Sequence, residues 1–454
     1  MDGQQRVTSL YAIRKGIRLT KDGKEIDYKD IFIDLGYDAE ADEQVVVAEK
    51  QEGRRYVAVH DVLTKPLGNF YKELPHDLAD LIEKYKNKLT SYDFSSITIK
   101  DYPIEIACEV FSRINTGGKS LTVFEIMVAK TYDESKKFDL ALEYEVLRDG
   151  ADDEKECLKG ANFETLPESI AMQCVAAISL GAVRSRDILK IKRESFIANW
   201  VPMKAALFSA IDFLRTELRV PVSQLLPYPA LVVPLTYFFH TIKNKKVSSN
   251  QKRLLEQYFY WVGVTERFSS ATESKLAEDI NRMIHIAKEI PPAYPSEELT
   301  VRSKKIAETW FSAGNAYCKS ILCLLAYHEP KSFDTNGLVI LDNSNLKIAS
   351  SRNYHHFFPK AYLADKQPDQ EANLIANITL IDGYGNKHRI GKKAPATYIK
   401  KFAVENKKLG ASLESHLISD PEDFGIYAND YVTFIDKRST ALAKALNKKL
   451  KAVN

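Results

Sequence analysis

The chain has 454 residues, 45 % of them apolar and 28 % charged, a balance that excludes collagen-like, linker-dominated and disordered chains and, at roughly 150 residues per domain, suggests about three domains. Net charge is only +3, but residues 331–454 hold 19 Lys/Arg against 13 Asp/Glu, so the C-terminal part is the basic end. Five cysteines without a CxxC pair exclude a disulfide scaffold, and no apolar run reaches the ~18 residues of a membrane helix, so the expectation is a cytoplasmic protein with reduced thiols and no membrane partner.

Asp2 is a good helix N-cap, Gln5 stands at capping-box spacing, and Val7, Leu10 and Tyr11 fall on one helix face that Gly16 can end. Strand-like runs follow at 31–33, 44–49 and 56–59, with Gln51-Glu52-Gly53 as a hairpin-type turn between the last two. The spacing predicts an amphipathic helix over 77–89, a short strand over 96–99 and a helix capped by Asp101 with Pro103 in its first turn. Thr122 and Glu125 form a second capping box, opening a helix to about residue 137. Asn115-Thr116-Gly117-Gly118 is therefore a glycine loop just ahead of a helix N-terminus. Free N–H groups and a partial positive charge suit a phosphate there, although such a loop taken alone is more often plain turn chemistry.

Asp2-Gly3-Gln4-Gln5-Arg6 before an apolar helix, then Phe111-x-Arg113-Ile114-Asn115-x-Gly117-Gly118-x-x-Leu121, resembles the ParB/sulfiredoxin-like N-terminal domain of GmrSD-type and SspE-type restriction proteins. The resemblance implies binding and hydrolysis of an NTP, whether GTP, ATP or another. It assigns Asp2, Gln4, Gln5 and Arg6 to one nucleotide motif and Arg113, Asn115, Gly117 and Gly118 to the other. Members of that family carry strands and a further Gln-Arg motif ahead of the first motif. The expectation is therefore a domain over residues 1–140 that lacks its first strands, turns NTP over poorly and associates through an open sheet edge, giving a homo-oligomer.

Residues 163–290 read as consecutive helices, punctuated at Ser185, Pro202, Pro221 and Pro227-Tyr228-Pro229, within a connector spanning 141–303. Arg267 with Ser269 and Ser270 is either a phosphate contact or a helix cap; His240 and His285 read as structural.

The remainder, 304–454, opens with a helix over 304–326 and a strand over 337–341. It then reads Asn353-Tyr354-His355-His356-Phe357-Phe358-Pro359-Lys360, with Ala376-Asn377-Ile378-Thr379-Leu380-Ile381 about twenty residues on and Asn386 nine after Asn377. Phosphodiester hydrolysis needs a base to activate water and a divalent cation to offset charge on the phosphate. Adjacent histidines on a strand point to opposite sides, so a neighbouring turn is needed to bring both to one site. The ordered set resembles the ββα-metal (HNH) nuclease domain paired with the Asp-Gly-Gln-Gln-Arg domain in GmrSD-type proteins. On that resemblance His355 and Asn386 are metal ligands, His356 the general base and Asn377 the loop residue that orients it, with Mg²⁺ or Mn²⁺ as the cation. Eight Lys/Arg and one acid lie between Gly383 and Lys408. Lys387, Arg389, Lys392 and Lys393 are the expected DNA-phosphate contacts; a solvated helix face is the other reading of that run.

The expectation is an α+β multidomain protein: a partial ParB-like domain, a helical connector and a ββα-metal nuclease domain. Its expected work is nucleotide-gated, metal-dependent cleavage of DNA, such as modified phage DNA, in a modification-dependent restriction system. A non-cleaving DNA- and NTP-binding regulator, or an ungated nuclease toxin, is the alternative.

Overall fold

The computed structural model describes residues 3–21, 24–37, 44–93, 121–151, 156–346, 353–381 and 389–451. Gly3–Lys15 form the first helix, α1, and Gly16 ends it in left-handed backbone at φ 58°, the terminator the sequence predicts. The chain divides by its internal packing into two units, residues 1–121 and 122–454.

In the first unit, strands β1 (Arg18–Lys21) and β2 (Lys24–Asp27) pair as a hairpin in which Arg18 sits opposite Asp27 and bonds it at 2.7 Å. The two residues between them are Asp22-Gly23, a dipeptide that favours tight hairpin turns, so the sequence itself carries a signal for this pairing. A second sheet has β3 (Phe32–Asp34) at its centre, flanked by β4 (Val46–Val47) and β5 (Tyr56–Ala58), all antiparallel. The turn around Gly53 is present, but β4 and β5 do not pair with each other. The more buried β3 lies between them and packs Ile33 against helices α2 (Val59–Thr64), α3 (Leu67–Glu73) and α4 (His76–Thr90), through Val62, Phe70, Ala79 and Ile82. Asp34 is buried in that sheet and is satisfied by Arg54 Nη1 at 2.8 Å and the Gly36 N–H at 2.9 Å. The strand predicted at 96–99, the helix from Asp101 and the glycine loop lie outside the described residues.

The second unit begins with the capping box. Thr122 Oγ1 accepts the Glu125 N–H at 3.1 Å, and Glu125 Oε2 accepts the Thr122 N–H at 2.7 Å, opening helix α5 (Val123–Thr131). Helices α6 (Leu140–Asp149), α7 (Glu168–Leu180), α8 (Arg193–Thr216), α9 (Val232–Thr241), α10 (Ser249–Val264) and α11 (Thr272–Ala287) follow. Pro202 does not punctuate as expected; it sits inside α8. An internal proline costs about 3 kcal/mol, and burial of Phe196, Trp200, Met203 and Ala206 on the same helix outweighs it. Arg267 likewise does not face solvent as a phosphate contact. Its Nε reaches both carboxylate oxygens of the fully buried Asp279 at 3.0 and 2.9 Å, while Arg282 and the Tyr258 hydroxyl bond the same carboxylate at 2.7 and 2.9 Å. The two guanidiniums lie over the Trp261 ring at 4.8 and 5.0 Å from its centroid. That knot ties α10 to α11.

The expected helix over 304–326 is two helices, α12 (Ser303–Glu308) and α13 (Ala316–Tyr327), and among the described residues the stretch 337–341 makes a single bridge, Lys331 to Leu338, rather than a strand. One apolar core runs from Met127 to Leu450, so the helices and the C-terminal elements of this unit are packed as one body. Cys157, Cys174, Cys318 and Cys323 are buried free thiols in it. No helix among the described residues is long and apolar enough to cross a membrane.

Helices α10 and α13 meet at Gly263, where a Cβ would fall on the Ser320 hydroxyl and 3.2 Å from Pro227 Cγ. Gly263→Ala should destabilise the protein by about 1–3 kcal/mol through overpacking, read as a lower urea midpoint. Adding Ser320→Ala should recover part of the loss. Equal midpoints for parent and single variant would contradict this contact.

Candidate active site

Both histidines stand on one of two short paired strands. β6 (Tyr354–His356) pairs antiparallel with β7 (Ile378–Leu380) in the register Tyr354↔Leu380, His355↔Thr379, His356↔Ile378. Helix α14 (Lys360–Lys366) lies in the connection between them, and α15 (Pro395–Glu405), opened by a proline in its first turn, follows β7. α15 is tied to the hairpin by the Tyr398 hydroxyl, which donates to the Phe357 carbonyl at 2.5 Å. The last helix, α17 (Tyr431–Leu450), with α16 (Leu409–Glu414) before it, supports the other side. Its wholly buried Arg438 donates to the carbonyls of Ala376 and Ile378, each at 3.1 Å, and Phe434 stacks on Phe357 at 4.7 Å between centroids.

The regular register turns the two histidines to opposite faces. His355 points into the core, 2 % exposed, among Phe333, Phe357 and Tyr398. Its Nδ1 pairs with Thr379 Oγ1 at 2.9 Å, and its buried Nε2 has no hydrogen-bond partner among the described residues. Burial holds this imidazole well below the usual histidine range, with His356, His416 and Arg438 adding to the effect. His356 is half-buried and turns to the connection, where its Nε2 lies 2.9 Å from Asn373 Oδ1. Burial pushes its pKa down to about 4 against the opposing pull of the Asn373 oxygen, so the ring is neutral at neutral pH. A third imidazole, His416, lies against Phe333 at 4.8 Å, donates Nε2–H to the Lys331 carbonyl at 3.0 Å and is lowered to about 3 by burial.

Asn377 is fully buried and spends its whole amide on the backbone. Its Oδ1 accepts the Phe358 N–H at 2.8 Å, and its Nδ2 donates to the Phe358 and Ala372 carbonyls, each at 2.9 Å. It therefore fixes the turn two residues beyond His356, while the side chain that touches the His356 ring is Asn373. Sequence reading missed Asn373; nothing in the one-dimensional pattern separates it from the turn asparagines around it.

Among the expected phosphate contacts, Lys392 and Lys393 are exposed and take part in no ion pair among the described residues. Lys393 Nζ donates to the Arg389 carbonyl at 2.7 Å. Arg389 is committed elsewhere, to Asp334 at 3.1 Å, to Glu405 and to the face of Phe402. Asn386 and Lys387 lie outside the described residues, as do Asp2, Arg113, Asn115, Gly117 and Gly118; Gln4, Gln5 and Arg6 are described only as backbone in the first turn of α1. Among the described residues no group of three or more His, Cys, Asp or Glu converges as a metal site.

Asn377→Ala would leave the buried N–H and carbonyl of Phe358 and the part-buried carbonyl of Ala372 without this partner. At about 1–3 kcal/mol for each such group, the variant should lose roughly 3 kcal/mol or more, seen as a fall in melting temperature. An unchanged melting temperature would mean that Asn377 is not the brace of this turn.

Residues 1–132 match the family model described as the N-terminal domain of GmrSD restriction endonuclease. No curated protein matches the chain. The match covers the first unit and α5 and ends well before the histidine pair, so the first 132 residues are what is similar to that restriction-endonuclease domain.

Proposed function

We propose that this chain is a metal-dependent DNA endonuclease of a restriction system, with a nucleotide-binding N-terminal domain that gates cutting at the C-terminal His356. The likeness of residues 1–132 to the GmrSD N-terminal domain supports the restriction setting, with DNA and an NTP as partners. The observation that carries the nuclease reading is a neutral, half-buried imidazole, His356, held at its Nε2 on a rigid strand pair. A general base must be unprotonated and oriented before substrate arrives. In this reading His356 takes the proton from the attacking water, and the exposed Lys392 and Lys393 bind the phosphate backbone.

Among the described residues one feature suits a cation: His355 Nε2 is buried without a partner, and with the ring hydrogen on Nδ1 toward Thr379 it is a bare lone pair, on the face of the strand opposite His356. His355 and Asn386 would hold Mg²⁺ or Mn²⁺. Such an ion, when bound, supplies charge stabilisation to the phosphate and the leaving oxygen.

The test is nicking of supercoiled plasmid with Mg²⁺ or Mn²⁺. His356→Ala should cut about 10²–10⁴-fold more slowly while its DNA affinity stays within a few-fold. Cleavage at the parent's rate removes His356 from the chemistry, and a parent that cuts no DNA with either metal, with or without NTP, overturns the nuclease reading.

Neutralising Lys392 and Lys393 together should weaken DNA binding to a similar degree across sequences and flatten the log–log salt dependence by about one unit per lost phosphate contact. An unchanged slope would make these lysines a solvated face.

A further inference from the structure

We propose that Asn373 is the positioning residue for His356 and that it makes Nδ1 the nitrogen that takes the proton; the catalytic half of this rests on the nuclease reading above. His356 Nε2 and Asn373 Oδ1 are 2.9 Å apart, but that distance alone does not say which atom carries the hydrogen, because an amide can be turned over. The Phe311 carbonyl decides it. Asn373 Nδ2 donates to that oxygen at 3.0 Å. Turning the amide over would set its oxygen against the carbonyl oxygen, two acceptors facing each other at hydrogen-bond distance. The amide oxygen therefore faces the imidazole, and an amide oxygen only accepts. So Nε2 carries the hydrogen. A neutral imidazole has one N–H, which leaves Nδ1 with a bare lone pair, and among the described residues nothing bonds it.

Asn373 is itself seated on rigid structure. Its carbonyl accepts the Phe311 N–H at 2.7 Å, and its own N–H donates to Glu371 Oε1 at 2.7 Å. The Ile375 N–H reaches the Thr309 carbonyl at 2.9 Å, and Trp310 bridges Leu374, so the segment 373–375 runs as a short ladder along 309–311. The Tyr431 hydroxyl on α17 donates to the Glu371 carbonyl at 2.5 Å. A side chain held on so many sides can hold a ring in one tautomer and one plane, as the outer partners of functional histidines do. Asn377, by contrast, has no amide atom left for the ring.

The experiment is a long-range proton–nitrogen spectrum of the full chain labelled with ¹⁵N-histidine, under mildly alkaline conditions, with the His356 signals identified by their loss in His356→Ala. The parent should show His356 with Nε2 protonated and Nδ1 bare. Asn373→Asp keeps an oxygen acceptor toward the ring but sets its second oxygen against the Phe311 carbonyl, so it should lower the melting temperature while still showing Nε2 protonated and Nδ1 bare. Asn373→Leu removes the acceptor; it should give the other tautomer or a mixture and cut roughly 10- to 100-fold more slowly at unchanged DNA affinity. A parent spectrum with Nδ1 protonated overturns the proposal without any variant, which covers the case in which Asn373→Leu does not fold. An Asn373→Leu chain with the parent's tautomer and rate overturns it as well. A parent that shows the expected tautomer but cuts no DNA overturns the nuclease reading and the catalytic half with it, and leaves the tautomer assignment standing.

Discussion

The antiparallel pairing of Tyr354–His356 with Ile378–Leu380 is the constraint on which the candidate site depends. A strand alternates its side chains, so this register commits His355 and His356 to different environments although they are neighbours in sequence. His355 goes to the aromatic interior and His356 to the connection that carries Asn373. Slipping the pairing by one residue would exchange them, and with them which imidazole is accessible. The register is held at both ends: at one, Asn377 stitches the turn to Phe358 and Tyr398 anchors the Phe357 carbonyl to α15, and at the other the Ile381 N–H donates to the Asn353 carbonyl and Asn353 Nδ2 donates to the Ile381 carbonyl, each at 3.1 Å.

Arg438 is the costliest part of this support. A buried guanidinium loses its hydration, and here it recovers part of that loss from two backbone carbonyls rather than from a carboxylate. Burial lowers its pKa to about 9, which still leaves it charged at neutral pH. That uncompensated cation bears on His355 and His416 and favours their neutral forms. The same residue thus clamps the start of β7 and adds to the burial that keeps the neighbouring imidazoles neutral.

The helical part of the second unit solves a similar problem differently. Asp279 is as deeply buried as Arg438, but it is met by two arginines and a tyrosine hydroxyl, and Trp261 fills the space between the guanidiniums. Charge is neutralised locally there, so the knot is a brace between α10 and α11 and presents no free cation to a phosphate.

Local signals in the chain decided a good deal. The capping box at Thr122 and Glu125, the glycine stop at Gly16, the helix over 77–89 and the proline start of α15 all appear, because each rests on interactions within a few residues. The adjacent histidines and their alternation were legible for the same reason. What only the tertiary structure decided depends on contacts across long separations. Pro202 continues a helix because a core formed by distant residues outweighs its local cost. The strand β3 lies between two segments that a turn would join, because sheet order follows burial rather than sequence order. Arg267 and Arg389, which look free on paper, are claimed by Asp279, Asp334 and Glu405. Asn373 and Asn377 are four residues apart and chemically identical, and only packing assigns one to a ring and the other to a turn. An asparagine's role is set by which groups come within hydrogen-bond distance of its amide, and that distance exists only once the chain has folded.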